Sequence, residues 1–231
     1  MTTRSLLVAF AALSLAACVA DPTKDQPKAV IETSPITAAT ATATATAAAA
    51  ATVATTGSMA APTGKAETLA IDPVASKIAW TASKPTRTHV GGFKTFRGTI
   101  TLADAKPEAS KVEIEIDTDS IFTDPDMLVK HLKSPEFFDV ANHPKASFVS
   151  TSITPGAEGG ATHTVKGKLT MHGETKDISF PATIAVTDKA VTAKAKFSFN
   201  RQDWKIAYKG KADDLVRDDV LMELDVTAPR H

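Results

Sequence analysis

The side chains best suited to metal or acid–base chemistry here are six histidines, at positions 89, 131, 143, 163, 172 and 231. Imidazole ligates metals and titrates near neutral pH, but such work needs a second group within reach, usually one helical turn or two strand positions away. No two of these histidines have that spacing. Each therefore reads as a surface or hydrogen-bonded structural residue, and no metal site is expected. Asp117-Thr118-Asp119 opens like a calcium loop, but Ile121 and Phe122 stand where a ligand and a turn glycine belong. Asp213-Asp214 and Asp218-Asp219 read as solvated charge beside a loop. The chain has no G-x-S-x-G, H-E-x-x-H, P-loop or G-x-G-x-x-G pattern. It is not expected to be an enzyme, and no catalytic residue or cofactor is implied.

What remains is apolar chemistry. Ten phenylalanines stand against two tryptophans and one tyrosine, a set suited to a dry interior rather than a polar contact surface. Twenty-six Lys and Arg balance 26 Asp and Glu. That balance argues against a nucleic-acid partner, which would call for a basic excess. The single cysteine excludes an internal disulfide and a Cys-rich zinc site.

The elements that must position the phenylalanines show a period of two. Val112, Ile114 and Ile116 alternate with Glu113 and Glu115; Val220, Met222, Leu224 and Val226 alternate with Glu223 and Asp225. Val165 to Met171, Ile178 to Val186 and Val191 to Phe199 hold one apolar parity each. Ile78 with Trp80, Phe96 with Ile100 and Leu102, and the run around Phe148 add three more. About eight one-sided strands joined by short Gly- and Asp-rich turns predict an all-β, antiparallel barrel or sandwich. One helix interrupts, with Asp124 as expected N-cap, Pro125 at its first position, and Leu128 and Leu132 on one face. Its apolar face has a natural place over a barrel end. An eight-stranded barrel is just wide enough to be filled by side chains or to hold one slender ligand, and the pattern leaves both open.

The amino end reads as an address. Arg4 precedes an apolar run, Ser5 to Leu15, too short to span a bilayer. It leads into Leu15-Ala16-Ala17-Cys18, which resembles a bacterial lipobox, with residues 1–17 as signal peptide and Cys18 as the lipidated residue. Two or three acyl chains on Cys18 would give stable membrane anchoring. Val19, rather than Asp, after the cysteine points to the outer membrane of a Gram-negative-type envelope, facing the periplasm. Apart from Val53, Thr37 to Thr56 is Ala and Thr alone. Residues 18–66 are therefore expected to be the lipidated Cys and a disordered tether with an r.m.s. reach of roughly 35–40 Å. Residues 67–231 would be the barrel domain.

Four stretches, in order, resemble the YceI-like family of lipid- or polyisoprenoid-binding proteins. Gly92-Phe93-Lys94-Thr95-Phe96-Arg97-Gly98-Thr99-Ile100 is similar to its G-x-F-x-x-F-x-G-x-I strand. His131-Leu132-Lys133-Ser134-Pro135-Glu136-Phe137-Phe138-Asp139, with His143-Pro144-Lys145-Ala146-Ser147-Phe148, is similar to its most distinctive segment. Gly167-Lys168-Leu169-Thr170-Met171-His172-Gly173-Glu174-Thr175-Lys176 resembles G-x-L-T-x-x-G-x-T-K, and Arg201-Gln202-Asp203-Trp204 resembles a late R-x-D-F/W motif. Lys84 to Val90 is more polar than the family's approach to the Gly-x-Phe strand.

The resemblance implies a lipocalin-like barrel with a helical cap and an isoprenoid quinone, prenyl phosphate or fatty amphiphile along its axis. The implied bore residues are Trp80, Phe93, Phe96, Ile100, Phe138, Phe148, Leu169, Phe180, Phe197 and Phe199. Arg201 and Lys176 are the implied headgroup partners at the mouth, unless Arg201 pairs with Asp203 or another loop acid. Some family members are dimers, so a homodimer is a further implied partner besides the lipid and the membrane. The alternative is a ligand-free structural or interaction module on the envelope.

Overall fold

The computed structural model describes residues 19–32, 65–212 and 214–230. Cys18, the Ala/Thr tract and Asp213 lie outside them.

The strands are β1 Val30–Glu32, β2 Ala66–Ala70, β3 Lys77–Lys84, β4 Arg87–Phe93, β5 Phe96–Ala103, β6 Lys106–Asp117 and β7 Ile121–Thr123. After the helix α1, Asp126–Leu132, come β8 Lys145–Pro155, β9 His163–Met171, β10 Glu174–Val186 and β11 Ala190–Asn200. The short β12 Gly210–Lys211 and β13 Asp214–Leu215 precede β14 Asp219–Pro229. β12 and β13 pair with each other; the rest form one antiparallel sheet in the order β2-β5-β6-β8-β9-β10-β11-β14-β3-β4-β7, with β1 added on β10.

That sheet curls on itself. The chain leaving β2 ties that edge of the sheet back to β14: Ile71 N–H donates to Gly98 C=O on β5, and Asp72 N–H donates to Thr227 C=O on β14, both at 2.9 Å. Arg230 and Glu67 pair across the same seam at 2.9 Å. Each long strand keeps its charged residues outside, where Lys194–Asp225 and Lys196–Glu223 pair across β11 and β14 at 2.7 and 2.6 Å. The dry parity faces one continuous core.

The eight expected strands are present as β3, β5, β6, β8, β9, β10, β11 and β14. The sheet is larger than that count. β4 lacks alternation because its inward positions include Gly91 and its outward ones the apolar Val90, and β7 is too short to show a period.

Two local expectations are corrected. Pro125, not Asp124, is the N-cap of α1, and no side chain caps it. Asp124 is engaged elsewhere, its carbonyl accepting from His89 Nδ1 at 3.1 Å. The tether does not begin at Val19, because residues 19–32 lie on the barrel. Val30, Ile31 and Glu32 pair with Ser179, Ile178 and Asp177 of β10. Ala29 is buried, and Ser198 of β11 holds the segment with two 2.8 Å backbone bonds: it accepts from Ala29 N–H and donates its own N–H to Pro27 C=O. Unpaired backbone groups on β10 and β11 thus find donors and acceptors in a segment with too few large side chains to signal packing.

Candidate functional site: an apolar bore under an aromatic cap

The interior of the curled sheet encloses a cavity of about 200 Å³. That is far more than one water needs. Every residue lining it is apolar except Arg201. Several inward residues are only half-buried, including Phe148, Leu169, Ala193, Ala195, Met222 and Leu224. Side chains that face inward yet keep accessible surface mark a bore that the protein does not fill.

Alternation places the wall. Trp80 on β3, Ile100 on β5, Phe148 on β8, Leu169 on β9, Phe180 on β10 and Phe197 with Phe199 on β11 all line the cavity. Phe93, at the end of β4, and Phe138, in the loop after α1, join them and meet edge to face at 5.9 Å. Phe96 is buried in the core but is not on the cavity wall. The wall also includes residues that the strand pattern could not indicate, because they arrive from loops: Phe137, Ile206 and Val216.

Space for Trp80 comes from a neighbour with no side chain. A Cβ on Gly91 would collide with the indole ring and with Phe122 C=O. The indole N–H of Trp80 is buried and has no hydrogen-bond partner among the described residues. An orphan donor on a cavity wall is uncommon enough to require a reason.

The cap closes one end. Leu132 of α1 and Phe137 are buried against the bore. His131, Phe137 and Tyr208 form an aromatic cluster with centroids 4.7–4.9 Å apart, joining the helix loop to the loop before β12. Trp204 is fully buried, donates its indole N–H to Leu169 C=O at 3.1 Å, and packs edge to face on Phe199.

Arg201 lines the cavity, but its guanidinium serves this cap. Nε donates to Arg217 C=O at 3.1 Å, one terminal nitrogen to Ile206 C=O, and the other to Val216 C=O and to Asp218 Oδ1 at 3.1 Å. Burial lowers its pKa, and Asp218 opposes that shift. Four of its five donors are engaged by the loop, an arrangement that matches the structural pairing, one of the two roles the sequence left open. The acid it pairs with is Asp218, not Asp203. Lys176 sits on β10 opposite Leu169, near Glu174 at 3.9 Å. Asp214 is likewise not simply solvated: it bonds Lys84 and accepts from Thr86 Oγ1 at 2.7 Å.

Comparison with known proteins agrees with this geometry. The model of the YceI-like domain matches residues 69–228. A "UPF0312 protein" of Pseudomonas fluorescens is 34% identical over 139 residues, covering 58% of this chain and 71% of that protein. One from Pseudomonas savastanoi is 46% identical over 93 residues, 40% of this chain and 47% of its own. The chain thus aligns with about half the length of the most similar of these relatives. Among solved structures, Burkholderia cenocepacia BcnA superposes with a TM-score of 0.59 at 26% identity, covering 68% of this chain and 99% of that one. A polyisoprenoid binding domain from Saccharophagus degradans superposes with a TM-score of 0.55 at 14% identity, covering 70% and 98%, and so shares the fold. With the domain model matching nearly the whole of the curled sheet, residues 69–228, this chain belongs to the YceI-like family.

Proposed function

We propose that the protein binds a single long-chain isoprenoid or fatty amphiphile in its bore and carries or sequesters it in the bacterial cell envelope. The observation that carries this reading is the apolar cavity with half-buried inward side chains and an orphan Trp80 N–H on its wall. An apolar chain would cover those side chains, at roughly 0.8 kcal/mol per methylene removed from water. Ten buried methylenes supply about 8 kcal/mol gross, against association costs of a similar size. A ligand oxygen would satisfy Trp80. The polyisoprenoid-binding description of the Saccharophagus relative in fold supports the same ligand class. The bore has no convergent acid, base or nucleophile among its lining residues, which favours a binder over an enzyme.

The anchor belongs to the same proposal. Lipidation at Cys18 would place the acyl chains one residue before Val19, whose N–H donates to Pro85 C=O in the β3–β4 turn at 3.2 Å. The barrel would then be held beside its membrane. Cys18→Ser should release the protein from the membrane fraction.

Titration with a prenyl quinone tests the binding. Saturable one-to-one quenching of tryptophan fluorescence, reduced in Trp80→Phe, is the expected result. Absence of quenching in protein extracted free of lipid would overturn it.

A further inference from the structure

Four histidines have evident structural partners. His131 pairs with Glu136 at 2.8 Å, His163 faces Glu108 at 3.4 Å, and His89 and His172 bond the carbonyls of Asp124 and Trp204. His143 differs: the contact of its ring is with the ring of His172, centroids 5.0 Å apart. One ligand atom each from Asp139, His143 and His172 lie within 4.8 Å of one another, and all three residues are half-buried. We propose that these three residues form a divalent transition-metal site on the rim of the bore.

The supports of the three residues favour ligation. The Trp204 carbonyl can only accept, so His172 Nδ1 must carry the proton in that 3.0 Å bond. The lone pair is therefore on Nε2. A backbone carbonyl that fixes the tautomer in this way is the usual outer partner of a metal-binding histidine. His143 is held by Thr118, which is fully buried and donates its hydroxyl to His143 C=O at 2.7 Å. Asp139 C=O accepts from His143 N–H at 2.8 Å, while one carboxylate oxygen accepts from Asn142 at 2.8 Å. Gly173 leaves room for the His143 ring, since a Cβ there would lie 2.8 Å from Cε1. Glu174, on the strand that follows His172, is held by Lys205 at 2.5 Å.

Two imidazoles and a carboxylate suit Zn²⁺ or a neighbouring first-row ion rather than Ca²⁺ or Mg²⁺. Metal–ligand bonds of about 2.0–2.1 Å require ligand atoms roughly 3.4 Å apart in a tetrahedron. Side-chain rotations that draw the cluster in from its 4.8 Å span by about 1.4 Å meet that, leaving a fourth position for water. Asp139 follows the bore residue Phe138, and His172 follows the bore residue Met171, so the ion would sit at the cap.

Calorimetric titration of chelator-treated full chain with Zn²⁺ tests the site. One equivalent is expected, with affinity falling at least tenfold in His143→Ala, His172→Ala and Asp139→Asn. If a variant fails to fold, the wild-type chain still decides: Zn²⁺ should shift the ring resonances of His143 and His172 and leave those of His89 and His163 unmoved. No stoichiometric binding, binding unchanged in both histidine variants, or shifts on other histidines would overturn the proposal.

Discussion

Phe180 on β10 and Phe197 on β11 stack face to face, ring centroids 4.3 Å apart and planes 14° from parallel. Phe148 on β8 leans on the same stack at 5.6 Å. It reaches that place because β9 carries Gly167, diagonal to it across the ladder, where a Cβ would lie 2.5 Å from the Phe148 ring. Rings from β8, β10 and β11 thus meet over β9 and line one side of the bore, while Ala193 and Ala195 of β11 leave the wall beside them open.

Ala195→Trp separates an open bore from a filled one. Overpacking a filled core costs about 1–3 kcal/mol. An indole placed in an unfilled cavity should instead leave thermal stability near wild type or raise it, while lipid affinity falls at least tenfold. Thermal melts and a fluorescent-lipid displacement assay on one preparation read both effects.

Arg201→Ala should act on the fold, not on charge recognition. It would leave the Ile206, Val216 and Arg217 carbonyls without their donors at the cap. A loss of about 2–4 kcal/mol in denaturant unfolding is expected. Affinity for anionic and neutral ligands should fall together. A selective loss of anionic ligands at unchanged stability would restore the headgroup role expected from sequence.

Acid should loosen the cap at Asp214. Its hydrogen bond from Lys84, then that from Thr86, hold its carboxyl below the ordinary value of 3.8. A depressed folded-state pKa means that the contribution is complete above the unfolded value and is lost as pH falls through the folded one. Stability should therefore hold through neutral and mildly acidic pH and drop below about pH 4. Asp214→Asn should flatten part of that acid limb in melts taken from pH 3 to 6.

The strands were legible because one face of each is wet. In β6, Glu113 and Glu115 against Val112 and Ile114 leave one way to orient the strand, and in β14 Glu223 and Asp225 do the same. Nine of the ten residues singled out for the bore line it, because parity on a curled sheet is an inside–outside rule. Phe96, the first residue of β5, keeps the inward parity and is buried, but lies off the cavity wall. A structural role for Arg201 beside a loop acid was one of two readings open in the sequence, but its carbonyl partners were illegible, because backbone carbonyls carry no sequence signature. The proximity of Asp139, His143 and His172 was hidden for a related reason: two loops far apart in sequence bring them together.

The docking of residues 19–32 was likewise hidden, and it carries its own expectation. Ala29 is 6% exposed beneath β1. Ala29→Asp buries an unpaired carboxylate and should detach the segment. Amide exchange at Ser198, whose N–H donates to Pro27 C=O, should quicken while the β11–β14 ladder stays protected. Unchanged exchange at Ser198 would show that the segment holds through its other contacts, such as Arg217 with Asp21.

Native mass spectrometry of the protein isolated from its own envelope tests the binding claim most directly. The account predicts a stoichiometric adduct that dissociates on activation and is identified by extraction as an isoprenoid or long-chain lipid. A clean apo mass, unchanged after incubation with prenyl quinones, prenyl phosphates and fatty acids, would contradict it.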